Sequence, residues 1–407
     1  MFLEILLFMA GGIALGVLTG LLPGLHPNTV FVLMLSLVSL FTGFPVVCTL
    51  VFIVSLSVSN VFLDFIPSVL FGAPDPDSCL SVLPGHQMLM DGRGYEAVFL
   101  SALGGLGAVL LTLLTLPILL VSIPFLYSQI YPFIHILLMA VVGWMVWTER
   151  GYAKLWALLI FLFTGLFGMI TLGALSDSAL FPALTGLFGF SGLVVSLYGK
   201  SKLPQQRKTA HLHGGVAKGT AIGWVAGMLA GLLPGIGSSQ AGMVAGQAFR
   251  ARIRDFLAAL GGISAANIIF TLVAFYTLGK TRSGAVSAIS QLTPSLSMNE
   301  LLLLMFTAML TAFLSVVLVL KIAGLVISRM HTISYRKMNL SIMAALAAMV
   351  ILLAGPLGVL ISIAGTLIGM LAIKLGIKRS HMMGFLIFPT ILYFSGLTAL
   401  FSHFLGL

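Results

Sequence analysis

The chain has 407 residues, of which 59% are hydrophobic and only 7% charged, and its mean hydropathy is +1.17. Soluble domains carry about 25% charged residues, so this composition excludes a soluble protein. The net charge of +10 does not imply a nucleic-acid partner, because the basic residues sit in short gaps between apolar runs, the pattern of positive-inside membrane topology.

The N-terminal "MFLEILLFMAGGIALGVLTG" lacks a basic leader and reads as a first membrane helix rather than a removable signal. It runs directly into "GLLPGLHPNTV" (20–30), where adjacent proline and glycine break the helix ladder. Lipid cannot satisfy the freed N–H and C=O groups, so such backbone must be buried in protein or line a wet cavity. His26, Asn28 and Thr29 follow the break and suit capping or ligand contact. "SVSNVFLDFIPSVLFG" (57–72) carries Asn60, an amide that needs a partner in hydrocarbon, either a neighbouring helix or a ligand. Asp64 is the acid most deeply embedded in apolar sequence and a candidate ligand for a coupling cation. The polar stretch 71–97 then supplies Asp75, Asp77, Asp91, Arg93 and Glu96.

Apolar runs at 98–122 and 155–174 are long enough to span a bilayer, with Trp144, Trp147 and Trp156 as an interfacial belt. Asp177 is a weaker functional candidate. The loop 199–218 holds Lys200, Lys202, Arg207, Lys208 and Lys218 with no acid, and is read as cytoplasmic. Then the opening phrase returns as "GLLPGIGSSQA" (231–241), with Gly237, Ser238, Ser239 and Gln240 after the break. "SAANIIFTLVAFYTLG" (264–279) carries Asn267, and Lys280 and Arg282 follow it. Further spans are expected at 301–328 and 341–372. Cys48 and Cys79 are packing residues, and the histidines form no metal-binding pattern.

These phrases align in order. Gly12, Gly16 and Gly20 match Gly223, Gly227 and Gly231 at an offset of 211, while Ser57, Asn60 and Gly72 match Ser264, Asn267 and Gly279 at 207. The glycine series suits helix packing. The expected fold is an all-α polytopic membrane protein of roughly ten to twelve spans or half-spans. It divides into a repeat over 1–198, a basic loop over 199–218 and a second repeat over 219–407, inverted, with re-entrant or broken helices. Internal duplication with broken helices is the pattern of secondary transporters, whose substrate sits near the midplane between repeats. A helix restarting after a break turns its positive end into that cavity, where an anion would bind. On this reading Pro23, Gly24, Pro234 and Gly235 form the two tips, and Asn60, Asn267, Ser238, Ser239, Lys280 and Arg282 join them around the anion. Asp64, Asp75 and Asp77 are the ion-coupling candidates. No P-loop, HExxH or GxSxG motif is present, so no enzyme activity, cofactor or metal is expected.

"GLLPGLHPNTV", "GAPDPDSCLSVLPGHQMLMDGRGYEAVFLSALGGLGA", "GLLPGIGSSQAG" and "ISAANIIFTLVAFYTLGKTRSGA" together resemble the large membrane subunit of tripartite tricarboxylate transporters. The likeness runs from about residue 10 to 290 and rests on Pro23, Gly24, Asp91, Pro234, Gly235, Gly237, Asn267 and Gly279. His26-Pro27 stands where that family has a glycine pair, and "KTRSG" where it has "IPGS". The resemblance implies ion-driven uptake of carboxylates such as citrate across the plasma membrane. It also implies a small membrane subunit and an extracytoplasmic binding protein as partners. The twin tips are also similar to those of polyprenyl-phosphate translocases, which would make the cargo a membrane lipid with an anionic head. A homodimer is left open.

Overall fold

The computed structural model describes residues 1–22, 27, 30–31, 34, 43–73, 79–175, 179–198, 204–210, 216–233, 237–249, 252–330 and 335–405. Every regular element among them is helical. Seven stretches are long and apolar enough to cross a membrane, and two shorter apolar helices accompany them. The protein is therefore an all-α, multi-pass membrane protein.

The helices are α1 (Phe2–Leu21), α2 (Val46–Leu63), α3 (Val82–Met90), α4 (Gly94–Ile130), α5 (Ile134–Trp147), α6 (Ala153–Leu175), α7 (Leu180–Leu184) and α8 (Ser191–Tyr198). After the basic loop come α9 (Val216–Leu232), α10 (Ser238–Ala248), α11 (Ile253–Leu278), α12 (Gly284–Leu292), α13 (Met298–Met330), α14 (Tyr335–Lys374), α15 (Gly384–Phe394) and α16 (Thr398–Leu405). They form two packed bodies. The first gathers α1–α4 with α9–α13 around one large apolar core. The second packs α5–α8 against α14 and α15.

Glycine sets the pairings inside the first body. A Cβ on Gly12, Gly16 or Gly20 of α1 would lie 2.5, 2.6 or 2.7 Å from the carbonyl oxygens of Phe52, Leu56 and Asn60 on α2. On α9, Gly219, Gly223 and Gly231 meet the carbonyls of Asp255, Ala259 and Asn267 on α11 at 2.5, 2.6 and 3.1 Å. No side chain fits at such distances, so backbone rides on backbone, as membrane helices do where small residues recur. Both pairs advance together in residue number, so the helices in each pair run parallel.

The span Val46–Phe71 continues α2 through a π-turn at Pro67–Phe71, where proline lacks the N–H of a regular helix. It has 26 residues, as does Ile253–Leu278, and each stops at a glycine with left-handed φ, Gly72 at +67° and Gly279 at +62°. These two are the most buried of the spans. They run in opposite directions. Leu70, at the end of the first, touches Gly94 at the start of α4. Two residues on, Glu96 pairs with Arg254 in the first turn of α11 at 2.8 Å. At the other end of α4, Tyr127 meets Arg282, just past the end of α11. The helices α4 and α11 thus share a direction, and they cross backbone to backbone where Gly104 meets Ala258 and Gly261 meets Ser101.

Candidate functional site: two helix ends beside buried asparagines

Asn60 and Asn267 are each the fifteenth residue of their 26-residue spans, about 21 Å from the start at 1.5 Å per residue. The last glycine of α1, Gly20, lies against Asn60, and the last of α9, Gly231, lies against Asn267. Both helices therefore end alongside the middle of a buried span.

Beyond α9 the chain resumes as α10, with Gly237 at its N-cap. Ser238 and Ser239 are each only 1% exposed, and Gln240 accepts the Gly237 N–H through Oε1 at 3.0 Å. Asn267 Nδ2 donates to Ser238 Oγ at 3.4 Å, which leaves the serine proton available for another acceptor. Three residues earlier on α11, the buried hydroxyl of Ser264 has no hydrogen-bond partner among the described residues. Hydroxyls, an amide and the positive end of a helix thus converge without a carboxylate among them, an environment that favours negative charge.

In the first half, Asn60 Nδ2 donates to Thr19 Oγ1 at 3.1 Å, and Thr19 passes its own proton to Gly16 O at 3.2 Å. Asp64 is buried one turn beyond Asn60, with its backbone nitrogen 3.2 Å from the Cβ position of Gly20. Its counterpart Thr271 stands in the same relation to Gly231, also at 3.2 Å, and accepts a hydrogen bond from Ser283 Oγ at 3.3 Å. Pro23, Gly24, His26, Asn28, Thr29, Asp75, Asp77, Pro234 and Gly235 lie outside the described residues.

Lys280 and Arg282 do not join Asn267. They follow the end of α11, about 18 Å farther along its axis. Lys280 is exposed, and Arg282 hydrogen-bonds Tyr127 and stacks on its ring with 5.1 Å to the centroid. The acidic stretch before α4 provides a different feature. Glu96, 1% exposed, accepts Arg93 Nε at 2.8 Å and Arg93 Nη2 at 3.0 Å, in addition to Arg254. The segment 204–207 docks onto the same turn: Gln206 bridges Leu89 O and Gly94 N, and Arg207 N–H donates to Gly92 O. Thr19, and this ion triad as a unit, were not apparent from sequence. An apolar helix with one threonine gives no sign of its partner, and Glu96 and Arg254 are 158 positions apart.

Residues 6–384 match the family described as Tripartite tricarboxylate transporter TctA. The chain belongs to that family. An uncharacterised protein of Methanocaldococcus jannaschii is 28% identical to this TctA-family chain over 405 residues, covering 96% of it and 98% of the relative. No solved structure matches. Members of the TctA family are membrane transporters that form one component of a tripartite system, which assigns this protein to transport across a membrane.

Proposed function

We propose that the protein is a secondary transporter of an organic carboxylate, driven by an ion gradient and working by alternating access between two inverted repeats. One observation carries this reading: two helices end beside asparagines at the same position of two equal, buried, oppositely directed spans. Opposite direction combined with conserved internal pairing is what an inverted repeat requires, and it supports the division at the 199–218 loop. A site between such halves lies near the midplane, where broken helices present backbone groups to the cargo.

In this reading Gly24 and Gly235 with their flanking prolines, and Ser238, Ser239 and Gln240, surround the carboxylate. His26, Asn28 and Thr29 complete the first tip, and Asn60 and Asn267 line the cavity from the two sides. Asp64 beside the first tip is the coupling-ion ligand, with Asp75 and Asp77 on the ion's route. Lys280 and Arg282 raise the local anion concentration at the far mouth. The protein sits in the plasma membrane with 199–218 cytoplasmic. Arg93, Arg207, Lys218 and Arg254 all gather at that end, which agrees with the positive-inside rule. A small membrane subunit and an extracytoplasmic binding protein complete the system.

The test is uptake of labelled citrate and C4 dicarboxylates into liposomes holding the purified protein, under imposed H⁺ or Na⁺ gradients. Gradient-driven uptake is expected, reduced at least tenfold in Asn267→Ala and Ser238→Ala. Absence of uptake even with both partner subunits added would reject carboxylate transport. Flipping of polyprenyl phosphate by the same liposomes would then identify a lipid cargo.

A further inference from the structure

Where the two bodies meet, a cavity of about 200 Å³ lies between Gly72 and His86 on one side and Phe188, Gly192 and Arg379 on the other. A water molecule's share of liquid is about 30 Å³, so the space admits an anion of several heavy atoms. We infer that this cavity binds an oxyanion, a carboxylate or phosphate group, with the Arg379 guanidinium as its fixed positive charge. The site is separate from the helix ends beside Asn60 and Asn267.

Arg379 lies in a short 3₁₀ turn, Arg379–Met383, between α14 and α15. Its Nη1 donates to Phe188 O at 3.1 Å, which anchors one edge of the fork. The glycine at 192 makes room for it, since a Cβ there would stand 3.1 Å from Nη2 and 3.3 Å from Nη1. No carboxylate lies within 4 Å of this arginine among the described residues. Arg93 and Arg254, by contrast, share the buried carboxylate of Glu96.

Burial pushes Arg379 below its ordinary value, yet an arginine stays protonated in proteins. The charge therefore persists where it is poorly solvated. His86 is also pushed below its ordinary value, first by burial and then by the charge of Arg379, so it faces the cavity as a neutral ring at pH 7. Val82, Leu193 and Val195 make up apolar wall. In so weakly polar a space, attraction between a guanidinium and an oxyanion exceeds its strength in water. The planar fork also suits two parallel hydrogen bonds to one carboxylate or phosphate.

The experiment is isothermal titration of the purified full-length protein with citrate, succinate, inorganic phosphate and, in mixed micelles, polyprenyl phosphate. At least one oxyanion is expected to bind, with affinity falling at least tenfold in Arg379→Gln. Gly192→Val, which fills the cavity and retains the charge, should produce the same loss. Citrate or succinate as the ligand points to a soluble carboxylate, whereas polyprenyl phosphate alone points to a lipid head. Thermal unfolding identifies variants that fail to fold, in which case Arg379→Lys replaces Arg379→Gln. No binding of any probe, or no fall in affinity when Arg379→Gln and Gly192→Val are each made in the Asn267→Ala background that silences the helix-end site, overturns the assignment. Because the readout is binding, a failure here differs from loss of uptake in Asn267→Ala.

Discussion

Asn60 and Asn267 occupy equivalent places but direct their amides differently. Asn60 is taken up by Thr19 on the neighbouring helix. At an offset of 211 from Thr19 stands Ala230, which has no hydroxyl, and Asn267 reaches Ser238 on the resumed helix instead. Asn60→Ala should therefore cost stability as well as uptake, about 1 kcal/mol for a lost internal hydrogen bond, read as a lower unfolding midpoint. Asn267→Ala should lose uptake while holding the midpoint. Glu96 allows a third comparison. Glu96→Gln retains the shape but removes the buried carboxylate that Arg93 and Arg254 share, and removing one partner of a buried pair costs about 3 kcal/mol. Thermal unfolding should place Glu96→Gln well below Asn60→Ala; equal midpoints would mean that solvent already screens the triad. That each asparagine needs a partner was legible, because an amide in an apolar run demands one. Which partner each took was not, because a hydroxyl one helix away leaves no trace in the asparagine's own segment.

Among the elements, the glycine series of α1 and α9 was readable as helix packing from its four-residue period. The crossing of α4 and α11 was not. Gly104 and Gly261 each begin a Gly-Gly pair without a four-residue period, and only the fold reveals that a Cβ on either would overlap a backbone carbonyl. Gly261→Val should therefore be worse tolerated than Gly143→Val, since nothing lies within 4 Å of a Cβ at Gly143. Overpacking typically costs about 1–3 kcal/mol. The yield of monodisperse protein on gel filtration reads the difference, and equal yields would contradict the crossing. The span expected at 341–372 is part of the longer α14, which breaks at Gly355 (φ +59°) just before Pro356. A proline inside an apolar run signals a bend, but its angle depends on packing that no local pattern encodes.

For the whole molecule, all-α membrane architecture followed from hydropathy alone. The span count did not, because Gly94–Trp147 is apolar almost without interruption and Pro117 and Pro124 fall inside α4 rather than at its end. The second body escaped the sequence as well, since α6 packs on α15 more than two hundred positions later. Sidedness can be measured directly. With Cys48 and Cys79 replaced, Lys280→Cys and Thr209→Cys should react with a membrane-impermeant maleimide from opposite faces of oriented vesicles. Labelling of both from one face would contradict the opposed directions of the two buried spans.

The triad of Glu96, Arg93 and Arg254 joins the start of α4 to the start of α11, while Gln206 clamps the turn before α4. Mechanically this corner acts as a rivet. To part α4 from α11 at the basic end would expose a buried carboxylate and separate it from Arg254, so any gate at this end opens elsewhere. Under the proposed alternating access, this corner keeps α4 and α11 together while the repeats rearrange.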